Sequence, residues 1–365
     1  MSFGKSDGSG DLPVIDSTLD SRPTTRVGRD EETEFLLPNA LNGTTRHRRV
    51  SIASLGADYG VLTFFVLLIV AFWIALPGRF MTGDNIKALL TEQAVPGILA
   101  LAVILPLAAG EFDLSIAANL GFCSVLSAFL AARGYGTFEI IALCAIVGLF
   151  IGTINAMLVV KVGVNAFIAT LGVSTVLAGG NLWITNGAVI FQGISTGFTN
   201  IATKEVFGVQ ITFIYFLVVV AVLWYLIERT PFGRYLRATG LGRDAARLSG
   251  VRTSGYLMSA FIIAGLLAAL CGVLETATFG SASPTVGPDF LLPAYAAAFL
   301  GATTIKRGMF NVWGTVVGVF LLAVCTNGLT LSGAPFWVPS VFNGLALIAA
   351  VSFAVILSKR QDRLR

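Results

Sequence analysis

Two polar segments interrupt a largely apolar sequence, and they hold the side chains best suited to chemistry. The first, segment 110–115 (Gly-Glu-Phe-Asp-Leu-Ser), places the carboxylates of Glu111 and Asp113 between two apolar runs with almost no connecting loop. Ionisable groups next to hydrocarbon are costly and usually face protein or a water-filled cavity. Asp113 or Ser115 could cap the following helix, and the segment could also be a helix break beside a solute pathway. The two interpretations are compatible.

The second segment, residues 228–255, is the longest polar interruption and is rich in arginine. Residues 244–248 (Asp-Ala-Ala-Arg-Leu) favour a helix, and Gly240, Gly242 and Gly250 flank them as helix breakers. One interpretation is a basic loop that only sets the membrane orientation. The other is a short helix outside the membrane that docks on a cytoplasmic motor. An orienting loop needs charge but no helix bracketed by glycines, so we predict the docking helix.

The residues that enzymatic chemistry would need are missing from the sequence. There is no GxxxxGK[ST] phosphate loop, so we expect any ATP hydrolysis in a separate subunit. His47 is the one histidine, and the four cysteines lie in apolar runs without CxxC spacing. This composition excludes a Ser-His-Asp arrangement and argues against metal and disulfide sites. We predict a protein that is not an enzyme, with no metal, no cofactor and no nucleic-acid partner.

Composition indicates the elements that must position these segments. The 365 residues are 55% hydrophobic and 12% charged, with a mean hydropathy of +0.83. Soluble domains have about 45–50% apolar and about 25% charged residues, so this chain needs lipid around it. We predict an all-α polytopic membrane bundle of about ten transmembrane helices, some of them short or broken. The predicted spans are residues 59–76, 93–109, 116–132, 139–160, 166–184, 211–227, 256–278, 291–303, 312–332 and 339–357.

The basic residues predict how these spans are oriented. With the N-terminus inside, sixteen lysines and arginines flank the membrane on the cytoplasmic side and four on the outer side. The inner ones are Arg46, Arg48, Arg49, Lys161, Arg229, Arg234, Arg237, Arg243, Arg247, Arg252, Lys306, Arg307, Lys359, Arg360, Arg363 and Arg365. The outer ones are Arg79, Lys87, Arg133 and Lys204. This bias predicts cytoplasmic N- and C-termini in a bacterial inner membrane.

The first fifty residues differ from the rest of the chain. Residues 1–50 are polar, rich in Ser, Thr, Asp and Arg, and have no sustained apolar run. We interpret them as a disordered cytoplasmic tail, and not as a signal peptide. Residues 51–365 then form the transmembrane domain.

Two other polar stretches, residues 185–208 and 279–289, fall on the outside in this topology. They could dock an external partner, and plain connecting loops explain them equally well. The tripeptide Thr-Asn-Gly occurs around both Asn186 and Asn327. A short match of this kind is the trace that an internal repeat in a transporter would leave.

Four stretches of the sequence resemble the ribose-type branch of the ABC importer permeases. Segment 110–116 looks like the family's Gly-Gly-Ile-Asp-Leu-Ser-Val, and residues 154–172 look like its Ile-Asn-Gly…Lys…Phe-Ile-Thr-Leu-Gly segment. Residues 230–250 are similar to its cytoplasmic coupling region, and residues 301–329 to its C-terminal region. The likeness spans roughly residues 60–357. Glu111 departs from the pattern, because the family has a small residue there.

The resemblance implies an assembly and a set of functional residues. Two permease chains, identical or closely related, would form the path through the lipid bilayer. Two cytoplasmic ATPase subunits would drive it, and an extracytoplasmic binding protein would deliver a sugar or sugar-like small polar solute. The residues expected to couple to the ATPase are Arg234, Gly240, Asp244, Ala245, Ala246, Arg247, Leu248, Ser249 and Gly250. The pathway candidates are Glu111, Asp113, Ser115, Asn155, Thr170, Asn186 and Asn327.

Three other classes of membrane protein predict different sequences. A secondary transporter driven by an ion gradient predicts buried charge partners in the spans, whereas acidic residues are scarce here and segment 228–255 offers a motor dock. A channel predicts a repeated filter sequence or rings of one charge. A membrane enzyme predicts a nucleophile with a base, or metal ligands. The secondary transporter is the alternative that we keep.

Overall fold

A computed structural model describes residues 60–306 and 308–362, with side chains through residue 352. The tail predicted for residues 1–50 lies outside the described residues. The helices are α1 (Gly60–Ala75), α2 (Gly83–Glu92), α3 (Ala94–Ala108), α4 (Ser115–Ala132), α5 (Thr137–Ala156), α6 (Ala166–Thr185), α7 (Thr196–Thr203), α8 (Ile211–Trp224), α9 (Pro231–Leu241), α10 (Arg243–Leu248), α11 (Thr253–Phe279), α12 (Pro288–Thr303), α13 (Val312–Leu331) and α14 (Val338–Asp362). Wider π-helical turns, Met157–Val162 and Tyr225–Arg229, extend α5 and α8. The strands β1 (Glu205–Val206) and β2 (Val209–Gln210) form an antiparallel hairpin.

The apolar composition of these segments explains why they are helical. In lipid every backbone N–H and C=O group must bond within the protein, and a helix satisfies them inside one segment. Within the described residues, seven helices are long and apolar enough to cross a membrane, and two apolar helices are shorter. Each of the ten predicted spans overlaps one helix. The all-α polytopic fold class is therefore confirmed.

Helix α11 lies at the centre of the bundle and packs against α3, α4 and α5. Helix α3 is buried on all sides, since each of its residues except Pro96 is buried. Small residues let α5 approach α11 closely: a Cβ on Gly152 would lie 2.6 Å from the carbonyl oxygen of Phe261, and a Cβ on Gly265 only 2.9 Å from the Cα of Gly152. Helices in lipid associate through such backbone contacts, so many glycines here serve packing.

Segment 228–255 contains two short helices. Helix α10 coincides with the predicted helix at 244–248, which confirms that element. Helix α9 was not predicted, because a proline and two glycines within its sequence oppose helix formation. The available signal was Pro231, since proline at the first helical position has the correct φ and loses no hydrogen bond there.

The two stretches at 185–208 and 279–289 contact each other. Ile190 donates a backbone hydrogen bond to Ala282 at 3.0 Å and accepts one from it at 2.8 Å. The first stretch also contains α7, whose N-cap Ser195 accepts from the backbone N–H of Phe198 at 3.2 Å. These stretches therefore form one ordered surface, at the opposite end of α11 from segment 228–255.

Candidate functional site

Residues 109–114 connect α3 to α4 and reverse the chain over a very short distance. Gly110 has a left-handed backbone, with φ of 84°, which glycine adopts without strain. Asp113 then accepts two hydrogen bonds from Ser115, one from its backbone N–H at 3.0 Å and one from its hydroxyl at 2.6 Å. The carboxylate thus satisfies the first free amide of α4. The structure shows both the break between helices and a carboxylate that supports the start of the next one.

Two neighbouring helices bond to this connection. From α5, Asn155 donates through Nδ2 to the Ser115 hydroxyl at 2.6 Å. From α6, the Thr170 hydroxyl accepts from the backbone N–H of Leu114 at 3.0 Å and donates to the Ala166 carbonyl at 2.7 Å. Four of the predicted pathway residues are therefore brought together around the start of α4.

A third helix adds a residue that the sequence did not indicate. The hydroxyl of Tyr295, on α12, accepts from the backbone N–H of Asp113 and donates to the carbonyl of Asp113, both at 3.0 Å. Its ring stacks on Phe112, with ring centroids 5.9 Å apart. The buried polar cluster, as we call it below, consists of Asp113, Ser115, Asn155, Thr170 and Tyr295.

Burial determines what the buried polar cluster can do. Asp113 is 2% exposed and Thr170 is fully buried. Burial raises the pKa of the Asp113 carboxyl to about 6, although the hydrogen bonds from Ser115 lower it. Polar groups in such a low-dielectric setting hold their helices in one arrangement when they are satisfied. Asn155 Oδ1 is the one side-chain atom of the cluster that is buried without a hydrogen-bond partner among the described residues. Solute has no access to the cluster in this conformation, so its members act as an anchor between four helices.

The end of α9 presses against the connection between α3 and α4. A Cβ on Gly110 would lie 3.3 Å from both the Cα and the carbonyl oxygen of Gly240. A Cβ on Gly240 would lie 3.0 Å from the backbone nitrogen of Gly110 and would collide with the carbonyl oxygen of Ala108. The two backbones therefore touch, and any side chain at position 240 would push them apart.

A charged pair bridges the same two segments. Arg243, at the start of α10, donates through Nη2 to Glu111 Oε1 at 2.6 Å. The glutamate side chain is 22% exposed and the arginine side chain 45% exposed. Glu111 was predicted to belong to the pathway, and the structure places it against segment 228–255. Glu111, the residue that departs from the family pattern, thus forms an ion pair with Arg243 in this chain.

A second charged group ties segment 228–255 to the other side of the bundle. Glu228, at the end of α8, accepts from Arg237 on α9 and from Lys306, which follows α12. Arg237 also donates to the carbonyl of Phe310 at 3.2 Å. A buried carboxylate held by two cations fixes its neighbours in position. Helix α9 is therefore attached both to α3 and to the connection between α12 and α13.

Helix α10 presents most of its surface to solvent. Ala246 is buried, whereas Leu248 is 91% exposed and Leu241, just before α10, is 80% exposed. Gly250 closes the helix in a left-handed conformation (φ 84°) and donates to the carbonyl of Arg247. The remaining predicted coupling residues, Arg234, Gly240, Asp244, Ala245 and Ser249, are exposed as well. Exposed leucines beside arginines form a surface suited to a protein partner.

The last two predicted pathway residues, Asn186 and Asn327, lie outside the buried polar cluster. Asn186 ends α6 in a left-handed conformation and is exposed, about 24 Å along that helix from Thr170. Asn327 exchanges amide hydrogen bonds with Asn85 of α2, at 3.1 and 3.0 Å. The two asparagines occupy different local structures, a helix end and a helix interior, so the Thr-Asn-Gly match reflects no shared conformation.

Sequence reasoning missed Tyr295, Glu228 with Lys306, and Asn85. Tyr295 stands in an alanine-rich helix, where a single tyrosine hydroxyl needs a partner when buried; that was an available signal. Glu228 is the one acidic residue at the end of its apolar run, and its burial also called for partners. The identity of the partners follows only from the fold, because they are far apart in sequence.

Comparison with known proteins gives a family match and many relatives. Residues 85–351 match the model of a family described as the permease component of the branched-chain amino acid transport system. The ribose import permease of Haemophilus influenzae is 30% identical over 289 residues, which is 78% of this chain and 90% of that protein. The D-allose transport system permease of Escherichia coli is 31% identical over 81% of this chain and 92% of its own length.

A third relative has a different solute in its name. The autoinducer 2 import system permease of Yersinia enterocolitica is 32% identical over 70% of this chain and 78% of that protein. No solved structure matches the chain. The family match reaches from α2 to α14, so it includes both segment 228–255 and the buried polar cluster.

Proposed function

This chain belongs to the family of ABC importer permeases, and on that premise we propose that segment 228–255 receives motion from an ATPase and passes it to the helices through Gly240 and Glu111. The protein is the transmembrane permease subunit of the importer, a multi-pass protein of the bacterial inner membrane. It is not itself an enzyme, and ATP is hydrolysed by a separate subunit.

The proposed topology has ten spans with both termini in the cytoplasm. The ten predicted spans each correspond to a helix, and sixteen of the basic residues flank them on one side against four on the other. Helix α12 is short for a span, at 16 residues, or about 24 Å. In this topology segment 228–255 is cytoplasmic, and the stretches at 185–208 and 279–289 face outward.

The proposed solute is a sugar or sugar-like small polar molecule. The support comes from the relatives named for ribose, D-allose and autoinducer 2. An extracytoplasmic binding protein delivers the solute to the outward surface formed by the two contacting stretches. A second permease chain, identical or closely related, completes the path. We propose that this second chain packs against the side of α6 on which the apolar residues Ile168, Val176 and Trp183 are exposed.

The contact between Gly240 and Gly110 carries the coupling proposal. Closure of the ATPase dimer displaces α10, whose exposed residues Arg247 and Leu248 form the dock. Because the backbone of α9 touches the connection between α3 and α4, a displacement of α10 also moves residues 110–114. The ion pair between Glu111 and Arg243 keeps the two segments in register.

The buried polar cluster determines which helices respond. Ser115 accepts from Asn155 of α5, the backbone N–H of Leu114 donates to Thr170 of α6, and the backbone of Asp113 bonds to Tyr295 of α12. Movement of the connection therefore reaches α4, α5, α6 and α12 together. A packed core has discrete arrangements in preference to continuous deformation, so these helices would swing as a unit between outward-open and inward-open states. Residues of the cluster line the pathway only in a state other than the one described.

The test of the coupling role is a reconstituted importer that contains this chain, its ATPase and its binding protein. We expect Arg247→Glu to reduce ATPase association and ATP-dependent uptake at least tenfold, without loss of the inserted permease. Arg133→Glu is the matched control, since Arg133 is an exposed arginine at the opposite end of α4, and it should leave ATPase association unchanged. Normal uptake by Arg247→Glu would contradict the role of α10, and uptake without ATP would support the secondary-transporter alternative.

A further inference from the structure

A polar cleft lies at the end of the bundle opposite segment 228–255. It has a volume of about 460 Å³ and opens between α2, the β1–β2 hairpin and the adjoining ends of α11 and α12. Charged residues from three elements line it: Lys87 and Glu92, Glu205, and Glu275. Glu275 lies about 33 Å along α11 from Thr253, where the helix leaves segment 228–255. In the proposed topology the cleft opens to the outside.

Two acceptor groups in this cleft have no partner among the described residues. Glu275 is only 8% exposed, and it forms no hydrogen bond or ion pair with another described side chain or backbone group. Gln210 Oε1, at the end of β2, is buried and likewise accepts no hydrogen bond from the described chain. Buried polar groups without partners are unfavourable. Their shared position on one cleft indicates a ligand that supplies the donors.

The remaining lining favours an uncharged molecule with an apolar face. Phe279, which is 67% exposed, and Phe290 contribute aromatic surface. Three carboxylates against one lysine make the cleft unfavourable for anions. Pockets that combine aromatic walls with a few convergent polar groups are typical of small-molecule sites. A ring bearing several hydroxyl groups can donate to Glu275 and Gln210 while one of its faces rests on Phe279.

The hairpin holds this wall in place. The two residues of its turn, Phe207 and Gly208, both have left-handed backbones, with φ of 54° and 77°, as the tight turn between paired strands requires. The Lys87 ammonium lies 3.6 Å from the position of a Cβ on Gly208, so α2 closes over the hairpin. The cleft is therefore preformed in the described conformation.

We propose that this cleft is a binding site for the transported solute, a neutral polyhydroxylated molecule, with Glu275 and Gln210 as its hydrogen-bond acceptors. The inference rests on the proposed function and adds a site to it: the permease itself selects the solute that the binding protein releases. A carboxylate accepts from hydroxyl groups more strongly than a neutral acceptor does. Loss of the Glu275 charge should therefore weaken solute binding even when the side chain keeps its size.

The test is a measurement of binding to the full chain in lipid nanodiscs by saturation-transfer NMR, with D-ribose, D-allose, ribitol, L-leucine and choline as probes. We expect saturable millimolar binding of at least one polyol or sugar, with Kd raised at least fivefold by Glu275→Gln. Glu139→Gln should leave Kd unchanged within experimental error, because Glu139 caps the start of α5 away from the cleft. Glu205→Gln, an exposed change in the cleft wall, should raise Kd about twofold and is informative even if Glu275→Gln misfolds.

Each other outcome overturns the proposed site. Absence of saturable sugar or polyol binding would overturn it. So would a Kd equal to that of the original protein in the folded Glu275→Gln and Glu205→Gln variants. Preferred binding of choline would make the cleft a cation site, and preferred binding of L-leucine would make it an amino-acid site. ATP-dependent sugar uptake by the reconstituted importer separates the two proposals. If the original importer takes up sugar and the cleft variants bind it with unchanged Kd, the cleft proposal alone is rejected. If the importer shows no ATP-dependent uptake, the proposed function is rejected.

Discussion

The buried polar cluster and the exposed surface of α10 are adjacent along the proposed path of coupling, yet they use polar residues in opposite ways. In the cluster, Asp113 and Ser115 are almost fully buried and bond to each other and to neighbouring helices. On α10, Arg247 and Leu248 are exposed, and we propose that their main partner is the ATPase. A polar group inside the bundle thus sets helix positions, whereas one on α10 is free to receive a partner.

This difference separates stability from coupling. Removing a buried hydrogen-bond acceptor leaves donors unsatisfied, at about 1–3 kcal/mol each. Changing an exposed residue usually alters stability by less than about 0.5 kcal/mol. We therefore expect substitutions in the cluster to affect folding first, and substitutions on α10 to affect transport with the fold intact. Gly240, Gly110 and the Glu111–Arg243 pair lie between the two regions and should show intermediate effects.

The largest effect is expected for Asp113→Ala. The change removes the acceptor of the Ser115 amide and hydroxyl, so we expect a loss of about 2–4 kcal/mol in stability. Thermal melting of the purified permease should show a decrease of about 5 °C or more. Asp113→Asn, which retains one acceptor oxygen, should melt closer to the original protein. Equal melting temperatures for the alanine variant and the original chain would contradict the anchoring role.

A large effect on transport, with a smaller one on folding, is expected for Gly240→Ala. The added Cβ would collide with the carbonyl oxygen of Ala108, and overpacking of this kind costs about 1–3 kcal/mol. ATP-dependent uptake should decrease about tenfold, because α9 can no longer contact the connection between α3 and α4. Gly172→Ala is the matched control: it is also a helical glycine, and a Cβ there would have nothing within 4 Å. Equal uptake by both variants would show that the contact does not transmit motion.

A moderate effect is expected for the ion pair between Glu111 and Arg243. Both side chains are partly exposed, so the pair contributes about 0.2–1 kcal/mol, or about a 1.4–5-fold change in coupled uptake. Glu111→Arg and Arg243→Glu should each lower uptake, and the double reversal should restore it. The difference should shrink at high salt, because ions screen partly exposed pairs. A double reversal as impaired as the sum of the single changes would exclude a direct interaction.

The smallest effect is expected for Asn186→Gly. The residue is exposed at the end of α6 and has a left-handed backbone that glycine adopts freely. Melting temperature and uptake should both stay within error of the original protein. A clear loss of uptake with an unchanged melting temperature would contradict this prediction and would show that Asn186 takes part in transport.

The sequence could predict the helices because their physics is local. Long apolar runs in lipid form helices, and the glycines around residues 244–248 marked α10. Helix α9 escaped prediction because its proline and glycines oppose a helix locally, whereas packing against α3 and α11 stabilises it. Propensity is a weak prior that tertiary context overrides.

The candidate site was predictable in part for the same reason. Asp113 and Ser115 were indicated because a carboxylate between two apolar runs needs partners. The partners themselves, Asn155, Thr170 and Tyr295, come from helices remote in sequence. The resemblance to a family suggested the first two, and the signal of a lone tyrosine in an alanine-rich helix did not say what its hydroxyl would bond to. The pairing of Glu111 with Arg243 likewise depends on where α9 directs the chain. Long-range contacts of this kind follow only from the assembled bundle.

The central claim is that α10 and the connection between α3 and α4 move together. It can be tested with Glu111→Cys and Arg243→Cys in one chain, joined by a short bifunctional thiol reagent that dithiothreitol reverses; the four native cysteines are buried. If the two segments move as one unit, the joined importer should keep at least half of its ATP-dependent uptake. Uptake that is abolished by joining and recovered with dithiothreitol would show that the segments separate during transport, and would contradict the account.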